Sequence, residues 1–478
     1  PSPSPTRPAN DSNSYNGTNF PVVKDAPTSM PTDPGHEFTD VVTQLGGVGA
    51  SYPSGGPYPA MDNSGFAANY ATTSTEGNPP PASDIGLIMA AFDTPSQLPV
   101  MYQLATQFVV CYHWFSSLPG PTWPNRCFVH GASSNGLDHS PSTGELIEWE
   151  TVSGFIYPNG SIFDAMTNDK VSYRLYNDNH NIFSDDPQNG SIGGAIAQVS
   201  SLKGIKLTDV HSINDFANDL QNGYSAQYTF IEPNYGDVVS GSYAGGSSQH
   251  PMDDVFGGES MIKYVYEAIR NSPVWNQSLL IITYDEHGGF YDSVAPGSAT
   301  PPNDGSPSGL NEFGFTFDTL GVRVPAVIIS PWIGTAVDHT VYDHSSVLAT
   351  VEKLLGRAPL TDRDRSANDL THLLQSAART DCPTTLNDPA QPAAPASARV
   401  AAGRANFNPD APIPERGMLA GLLGVALKTE IELAGGPDAA RAALIARFRH
   451  IRTLGQADAY LKAVMGRVEA ARAATRKA

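Results

Sequence analysis

Two short apolar runs with branched side chains constrain the fold most strongly. They occupy residues 279–284 and 324–330. Runs of this kind are typical of strands buried on both faces, which belong to sheets covered by helices. Residues 253–270 place apolar side chains at helical spacing, and a second helix is predicted between a cap at Asp343 or Ser345 and a stop at Gly356. The order of helix and strand predicts an α/β fold.

Composition divides the rest of the chain. Residues 1–35 are rich in Pro, Ser, Asn and Thr and are predicted to be loop or tail. Residues 378–415 are dominated by Pro and Ala, and amphipathic helices are predicted at 439–449 and 457–474. The predicted organisation is a main domain over residues 1–377, a linker over 378–415 and a helical extension over 416–478.

The charge balance limits the classes of partner. The chain has 28 Lys and Arg against 48 Asp and Glu, a net charge of -20. This balance predicts no nucleic-acid partner, because sequence-independent binding depends on cations that neutralise phosphates. An anionic substrate remains compatible, since local cations or a metal can outweigh the overall field. No run reaches the roughly 18 apolar residues that a membrane span needs, so no transmembrane segment is predicted.

The start of the chain and its cysteines leave the compartment open. The chain begins Pro-Ser-Pro without an apolar signal segment, which suggests a removed leader or a fragment. Cys111, Cys127 and Cys382 lack metal-ligand spacing. Cys111 and Cys127 are either two buried thiols, the favoured interpretation, or one disulfide bridge.

The first segment with chemical potential is residues 111–126. An apolar run leads into a Pro/Gly turn, and Thr122 is followed by Pro124, which favours a helix start. A hydroxyl at a helix N-terminus lies among unpaired N–H groups that suit a phosphate oxygen. The alternative for Thr122 is an ordinary N-cap. Arg126 is either a phosphate clamp or a surface ion-pair partner.

The second segment is residues 283–292. Asp285 and Glu286 end a predicted strand, and Gly288 and Gly289 allow a turn that would direct both carboxylates to one cation. Hard oxygen ligands of this kind suit a divalent metal. A polar exit from the strand is an equally good interpretation of the same residues.

Four scattered histidines complete the set of candidates. They are His36, His250, His287 and His344. A histidine can donate to phosphate oxygens, protonate a leaving group or bind a metal, although a single loop histidine is more often just solvated. Together with a hydroxyl and an acidic pair, they form a set suited to phosphoryl transfer.

These segments resemble one family of phosphoesterases. Residues 108–135 resemble the first signature of a family that includes bacterial phospholipases C, plant non-specific phospholipases C and certain bacterial acid phosphatases. Residues 284–292 resemble its second signature, and residues 324–331 and 342–347 resemble later blocks. The shared order of blocks, over roughly residues 30–357, is more specific than any single motif.

The resemblance implies a fold, a reaction and a site. The fold is an alkaline-phosphatase-like α/β/α sandwich, here followed by the helical extension. The reaction is hydrolysis of a phosphate ester, with phospholipid favoured as substrate, through a transiently phosphorylated Thr122. A secreted or periplasmic location is also implied. The implied site comprises metal ligands Asp285, Glu286 and Thr122 for a divalent cation of open identity, catalytic His250, His287 and His344, and substrate contacts from His36, Asn125 and Arg126.

The chain departs from the family pattern at three places. The family's opening Glu-Asn segment, which also holds the metal, is not found, so we expect the opening strand to be missing. Tyr112 stands where Asp is usual, and Ser293 where His is usual. Two alternatives therefore stand beside a phospholipase C-like enzyme: an acid phosphatase, and a catalytically impaired binding protein on the same fold.

Overall fold

A computed structural model describes residues 11–145, 148, 154–178, 196–306, 308–436 and 438–475. The chain divides into two compact units, each built from three stretches of sequence. The first unit comprises Pro1–Ser140, Tyr157–Ala165 and Ile269–Ala390. The second unit comprises Pro141–Ile156, Met166–Ala268 and Gln391–Ala478.

Short strands and helices alternate along the described residues. Strands β1 to β11 are Ser12–Tyr15, Thr18–Pro21, Val23–Lys24, Ala90–Ala91, Val109–Trp114, Tyr173–Asn177, Val210–Ser212, Tyr228–Glu232, Leu280–Thr283, Ala326–Ile329 and Ala336–Tyr342. Helices α1 to α14 are Phe38–Gly46, Phe66–Thr72, Thr94–Gln97, Pro99–Gln107, Thr122–Gly131, Ile162–Asn168, Ile213–Gln221, Val255–Arg270, Ser345–Leu355, Asp362–Ser366, Ala396–Ala405, Met418–Ala434, Asp438–Phe448 and Leu454–Thr475. Short 3-10 helices lie at Ile85–Met89, Gln198–Ser201, Leu207–Asp209, Trp275–Gln277, Ser308–Leu310 and Thr371–Leu373.

The first unit contains a mixed four-stranded sheet in the order β11-β5-β10-β9. Strand β5 runs parallel to β11, and β10 runs antiparallel to both β5 and β9. All four residues of β10 are buried, as its branched side chains predict. All four residues of β9 are only partly buried, because this strand lies at the edge of the sheet. The predicted α/β class is confirmed, whereas the predicted two-faced burial of β9 is wrong.

The core of this sheet supports the first signature and the later block at residues 342–347. Trp114, Ile328 and Tyr342 are fully buried in one cluster, so β5, β10 and β11 share one hydrophobic face. Helix α5 begins shortly after β5, and α9 begins directly after β11. Cys111 and Cys127 are free thiols, and burial raises the pKa of each to about 12. The alternative of a disulfide between them is therefore wrong.

The stretch predicted as loop or tail contains a β-hairpin. Strands β1 and β2 pair antiparallel from Ser12↔Pro21 to Tyr15↔Thr18. The connecting residues Asn16 and Gly17 have φ of 47° and 77°, which a tight two-residue hairpin turn requires. The prediction was wrong for residues 12–21 because it gave no weight to the Asn-Gly turn signal. Residues 1–10 lie outside the described residues.

The second unit contains the parallel sheet β7-β6-β8 and the C-terminal helices. The predicted helices at 439–449 and 457–474 are confirmed as α13 and α14. Their predicted separation as an extension is not confirmed. Helix α12 is buried continuously from Leu419 to Glu430, and the Lys428 ammonium donates to the Ile205 carbonyl at 2.8 Å. The predicted linker also contains α11. Among the described helices, none combines the length and apolarity required to cross a bilayer.

Candidate active site

Thr122 is the first residue of α5 and is partly exposed. The N-cap position belongs to Pro121, and no side chain caps the helix. The alternative interpretation of Thr122 as an ordinary N-cap is therefore wrong. The hydroxyl instead lies in the first turn of α5, whose leading N–H groups have no partner within the helix. Such a helix start favours a negatively charged group.

Asn125 shapes the loop that leads to Thr122. Its side chain is fully buried and accepts from the Leu118 amide at 3.1 Å. It donates to the carbonyls of Gly120 at 2.9 Å and Pro121 at 3.1 Å. These hydrogen bonds fix the conformation of the loop before α5. The Asn125 carboxamide is buried and points to the backbone of this loop. The predicted substrate contact of Asn125 is not supported, since the residue acts on the loop.

Arg126 joins α5 to the acidic pair. Its Nε donates to Asp285 Oδ2 at 2.8 Å, and the two side chains are 16% and 22% exposed. Thr122 and Arg126 are four residues apart on a helix and therefore lie on one face. The hydroxyl and the end of β9 thus approach the same partly open surface. Arg126 is an ion-pair partner here, and the pair remains accessible to an anionic ligand.

Glu286 and His287 lie beside Asp285 in a more buried setting. Burial raises the pKa of Glu286 to about 7, with Asp285 adding to the shift and His36 opposing it. Burial lowers the pKa of His287 to about 3, and nearby His36 lowers it further. His287 Nε2 donates to Gln44 Oε1 at 2.7 Å, which fixes the orientation of the ring.

The turn predicted at Gly288 and Gly289 is confirmed by φ values of 61° and 76°. A Cβ added at Gly289 would lie 2.6 Å from Pro34 Cβ and 2.8 Å from the Gly35 carbonyl oxygen. The missing side chain thus lets the second signature approach the segment that carries His36. Gly288 also donates its amide to Glu286 at 2.6 Å.

His36 lies among carboxylates. Its Nδ1 is 2.9 Å from the Pro34 carbonyl, and its Nε2 is 3.5 Å from Glu76 Oε1. Burial lowers the pKa of His36, but the carboxylates of Glu76, Glu286 and Asp33 outweigh it and raise the pKa well above its usual value. Burial also raises the pKa of Glu76 to about 7, against the opposing effect of His36. The carboxylates around His36 therefore favour the cationic form of its ring.

His344 is fully buried with both ring nitrogens engaged. Its Nε2 donates to the Asp285 carbonyl at 2.7 Å, and Trp114 Nε1 donates to its Nδ1 at 3.3 Å. Burial lowers the pKa of His344, which agrees with a neutral ring. The geometry assigns His344 to holding the end of β9. It does not support the predicted direct catalytic role.

His250 belongs to the second unit. Its ring stacks on Tyr243 at 3.6 Å between centroids, and Met252 donates its amide to His250 Nδ1 at 3.3 Å. Both of these contacts lie within the second unit. Its predicted catalytic role stays a prediction.

The sequence comparison adds a family to this geometry. The profile of the Phosphoesterase family matches residues 6–356. The chain belongs to the Phosphoesterase family. It is similar to non-specific phospholipase C3 of Arabidopsis thaliana, with 34% identity over 367 residues that cover 74% of this chain and 64% of the relative. It is also similar to phospholipase C B of Mycobacterium tuberculosis, with 28% identity over 330 residues that cover 61% of this chain and 57% of the relative.

Two facts limit what these similarities show about the chain. The chain spans less than two thirds of the length of the two relatives named above. Among solved structures, a protein in the alkaline phosphatase superfamily from Vibrio parahaemolyticus matches at 14% identity and a TM-score of 0.31. That match covers 58% of this chain and 65% of the other. A score this low does not define the fold, which depends here on the observed strands and helices.

The residues around Asp285 supply part of the donor set that a divalent cation needs. Asp285 and Glu286 are hard oxygen donors of the right kind. Asp285 is engaged by Arg126, and no group of three His, Cys, Asp or Glu in the described ranges has metal-holding geometry. The described residues therefore match a divalent cation in donor chemistry and fall short of a complete site in number.

Two residues around this candidate site were missed by sequence reasoning. Gln44 orients His287, and Glu76 approaches His36. A signal for Gln44 was available, because Asp40 and Gln44 lie four residues apart on the buried face of α1. Glu76 follows no pattern that separates it from an ordinary loop carboxylate. Its role depends on contacts distant in sequence.

The departure at Tyr112 has a structural counterpart. The Arg323 guanidinium lies over the Tyr112 ring at 4.5 Å and pairs with Asp292 at 3.0 Å. Tyr112 thus supports an arginine that holds a residue of the second signature.

Proposed function

We propose that this chain hydrolyses phosphate esters, as a phospholipase C-like enzyme, with Thr122 as the nucleophile. The observation that carries the proposal is the position of Thr122, partly exposed in an uncapped first turn of α5 and one turn before an arginine bonded to Asp285. Family membership supports the reaction class, and the names of the plant and mycobacterial relatives favour a phospholipid substrate.

The reaction proposed for these residues has two displacements. Thr122 Oγ1 forms a bond to phosphorus as the bond to the alcohol leaving group breaks, and the alcohol takes up a proton. An oxygen of water then forms a bond to phosphorus as the bond between phosphorus and Thr122 Oγ1 breaks, and a proton from that water restores the threonine hydroxyl. The leading N–H groups of α5 and the Arg126 guanidinium stabilise the anionic oxygens, and His36 adds a second positive charge.

A divalent cation is part of the proposal. Asp285 and Glu286 would supply two of its ligands, and the raised pKa of Glu286 agrees with a place where a nearby positive charge would be stabilising. Such a cation, when bound, lowers the pKa of a hydroxyl and offsets phosphate charge.

The test compares two chromogenic substrates on the purified chain, p-nitrophenyl phosphorylcholine and p-nitrophenyl phosphate, with and without added divalent metals. We expect metal-stimulated release of p-nitrophenol from the diester, and its loss in Thr122→Ala. Preference for the monoester would replace the phospholipase assignment with an acid phosphatase. Absence of turnover on both, with no vanadate binding by calorimetry, would overturn the enzymatic proposal in favour of a binding protein.

A further inference from the structure

Arg363 is an arginine almost completely enclosed by the first unit. Its side chain is 3% exposed, at the start of α10. Nη2 donates to the Ser117 carbonyl at 2.6 Å, and Nε lies 3.4 Å from Asp343 Oδ2. The guanidinium also lies over the Phe128 ring of α5, 5.0 Å from its centroid. One cation thus contacts the loop before Thr122, helix α5 and the turn before α9.

Ser117 and Asp343 extend these contacts to His344. The Ser117 hydroxyl donates to Asp343 Oδ2 at 3.1 Å and accepts from the His344 amide at 3.2 Å. His344 in turn donates to the Asp285 carbonyl at 2.7 Å. Ser117 and His344 are fully buried, and Asp343 is 5% exposed. A continuous buried network therefore leads from Arg363 to Asp285, the first member of the acidic pair.

We propose that Arg363 is a positioning residue for the reaction at Thr122. It holds the loop that precedes the nucleophile and, through Asp343 and Ser117, the backbone of His344, whose imidazole donates to the Asp285 carbonyl. Arg363 itself does not touch the substrate. This inference rests on the proposed function, because it concerns the relative placement of Thr122 and Asp285.

The contacts require the shape of a guanidinium as well as its charge. A planar group can donate to the Ser117 carbonyl, face Asp343 and stack on Phe128 at the same time. A lysine ammonium at this position keeps the charge but cannot stack in the same way. Loss of the cation leaves the Asp343 carboxylate buried without its positive partner, which is strongly unfavourable.

The same helix offers a matched control. Arg365 lies two residues later, is 61% exposed and pairs with Asp362. Its replacement removes one arginine from α10 without touching the buried network. Arg365→Ala should therefore keep wild-type turnover, and a large loss in that variant would show that α10 acts by some route other than the Arg363 contacts.

The experiment measures kcat and KM for p-nitrophenyl phosphorylcholine in Arg363→Lys and Arg363→Ala, with thermal unfolding in parallel. We expect kcat to fall by about 10–100-fold with little change in KM, since positioning is lost while substrate contacts remain. Added methylguanidine should raise the kcat of Arg363→Ala at least about tenfold, whereas added methylamine should leave it unchanged. If Arg363→Ala does not fold, the kcat of Arg363→Lys carries the test.

The outcomes separate this inference from the proposed function. Wild-type kcat in folded Arg363→Lys, or equal rescue by methylamine and methylguanidine, would overturn the role of Arg363. A loss of kcat in Arg363→Lys that follows a matching loss of folded protein would overturn it as well. Wild-type chain without turnover, or Thr122→Ala with full turnover, would instead overturn the proposed function.

Discussion

The Nε of Arg126 lies 2.8 Å from a carboxylate oxygen of Asp285, which fastens the second turn of α5 to the end of β9. Thr122 lies four residues earlier on the same helical face. This contact therefore sets how the hydroxyl and the two acidic residues face one another. Because both side chains are partly exposed, it also marks where an anionic substrate would meet the protein.

Replacing Arg126 should weaken substrate binding. In Arg126→Gln the first turns of α5 lose a cation, so we expect KM for the diester to rise about tenfold or more, with the fold intact. Steady-state kinetics of Arg126→Gln and of the exposed control Arg365→Gln check this. An unchanged KM in Arg126→Gln would leave Arg126 as an ion-pair partner of Asp285 alone.

Removal of the Thr122 hydroxyl should abolish the covalent step. We expect Thr122→Ala to lose at least about three orders of magnitude in kcat with an unchanged melting temperature. Rapid acid quench followed by intact-mass spectrometry should show a phosphorylated wild-type chain and no such species in Thr122→Ala. Thr122→Ser should retain part of the activity, and a phosphorylated Thr122→Ala chain would place the nucleophile elsewhere.

Metal content should depend on Asp285. Asp285→Asn removes one charged oxygen donor at the end of β9, so we expect less manganese or calcium to remain bound after desalting, together with lower kcat. Elemental analysis by mass spectrometry measures this, with Asp381→Asn as the control because Asp381 is 76% exposed and pairs with Arg379. Equal metal content in the two variants would contradict the assignment of Asp285 as a ligand.

Stability should fall with rising pH because of Glu352. Burial, and then the neighbouring Asp364 carboxylate, raise the pKa of Glu352 to about 9. The folded chain holds this proton more tightly than the unfolded chain, so the stabilising contribution is complete below the ordinary Glu pKa and is lost as the pH rises through about 9.

Glu352→Gln removes this titration. We expect its melting temperature, measured by calorimetry, to decline less than that of the wild type between about pH 5 and pH 9, with a difference of about 1–3 kcal/mol in unfolding free energy at the alkaline end. Parallel melting curves for the two proteins would show that Glu352 is ionised in the folded state at neutral pH.

Local signals in the sequence predict part of this fold. Apolar runs locate β9 and β10, and the stop signal at Gly356 locates the end of α9, where Gly356 has φ of 66°. The predicted cap at Asp343 or Ser345 is wrong, because His344 occupies the N-cap position and no side chain caps the helix. These features depend on residues close in the chain. The half-buried state of β9 depends on its place at the sheet edge, which the run of side chains does not encode.

The candidate site is likewise predicted only in part by the sequence. The approach of α5 to the acidic pair follows from the two signatures, whereas the pairing of Gln44 with His287 and the burial of His344 against Trp114 do not. Each of those contacts joins residues distant in sequence. Histidines in one signature can bind substrate or support the backbone, and the packing around each ring decides between these roles.

The parallel pairing of β5 with β11 has a consequence for biosynthesis. The two strands are far apart in the chain, so β5 emerges from the ribosome long before its neighbour has been translated. Until β10 and β11 have been translated, the nascent polypeptide carries an apolar strand with both edges unpaired, in a topology of high contact order. From the order of these strands we therefore expect slow maturation, and a higher yield of folded protein when chaperones are supplied during expression.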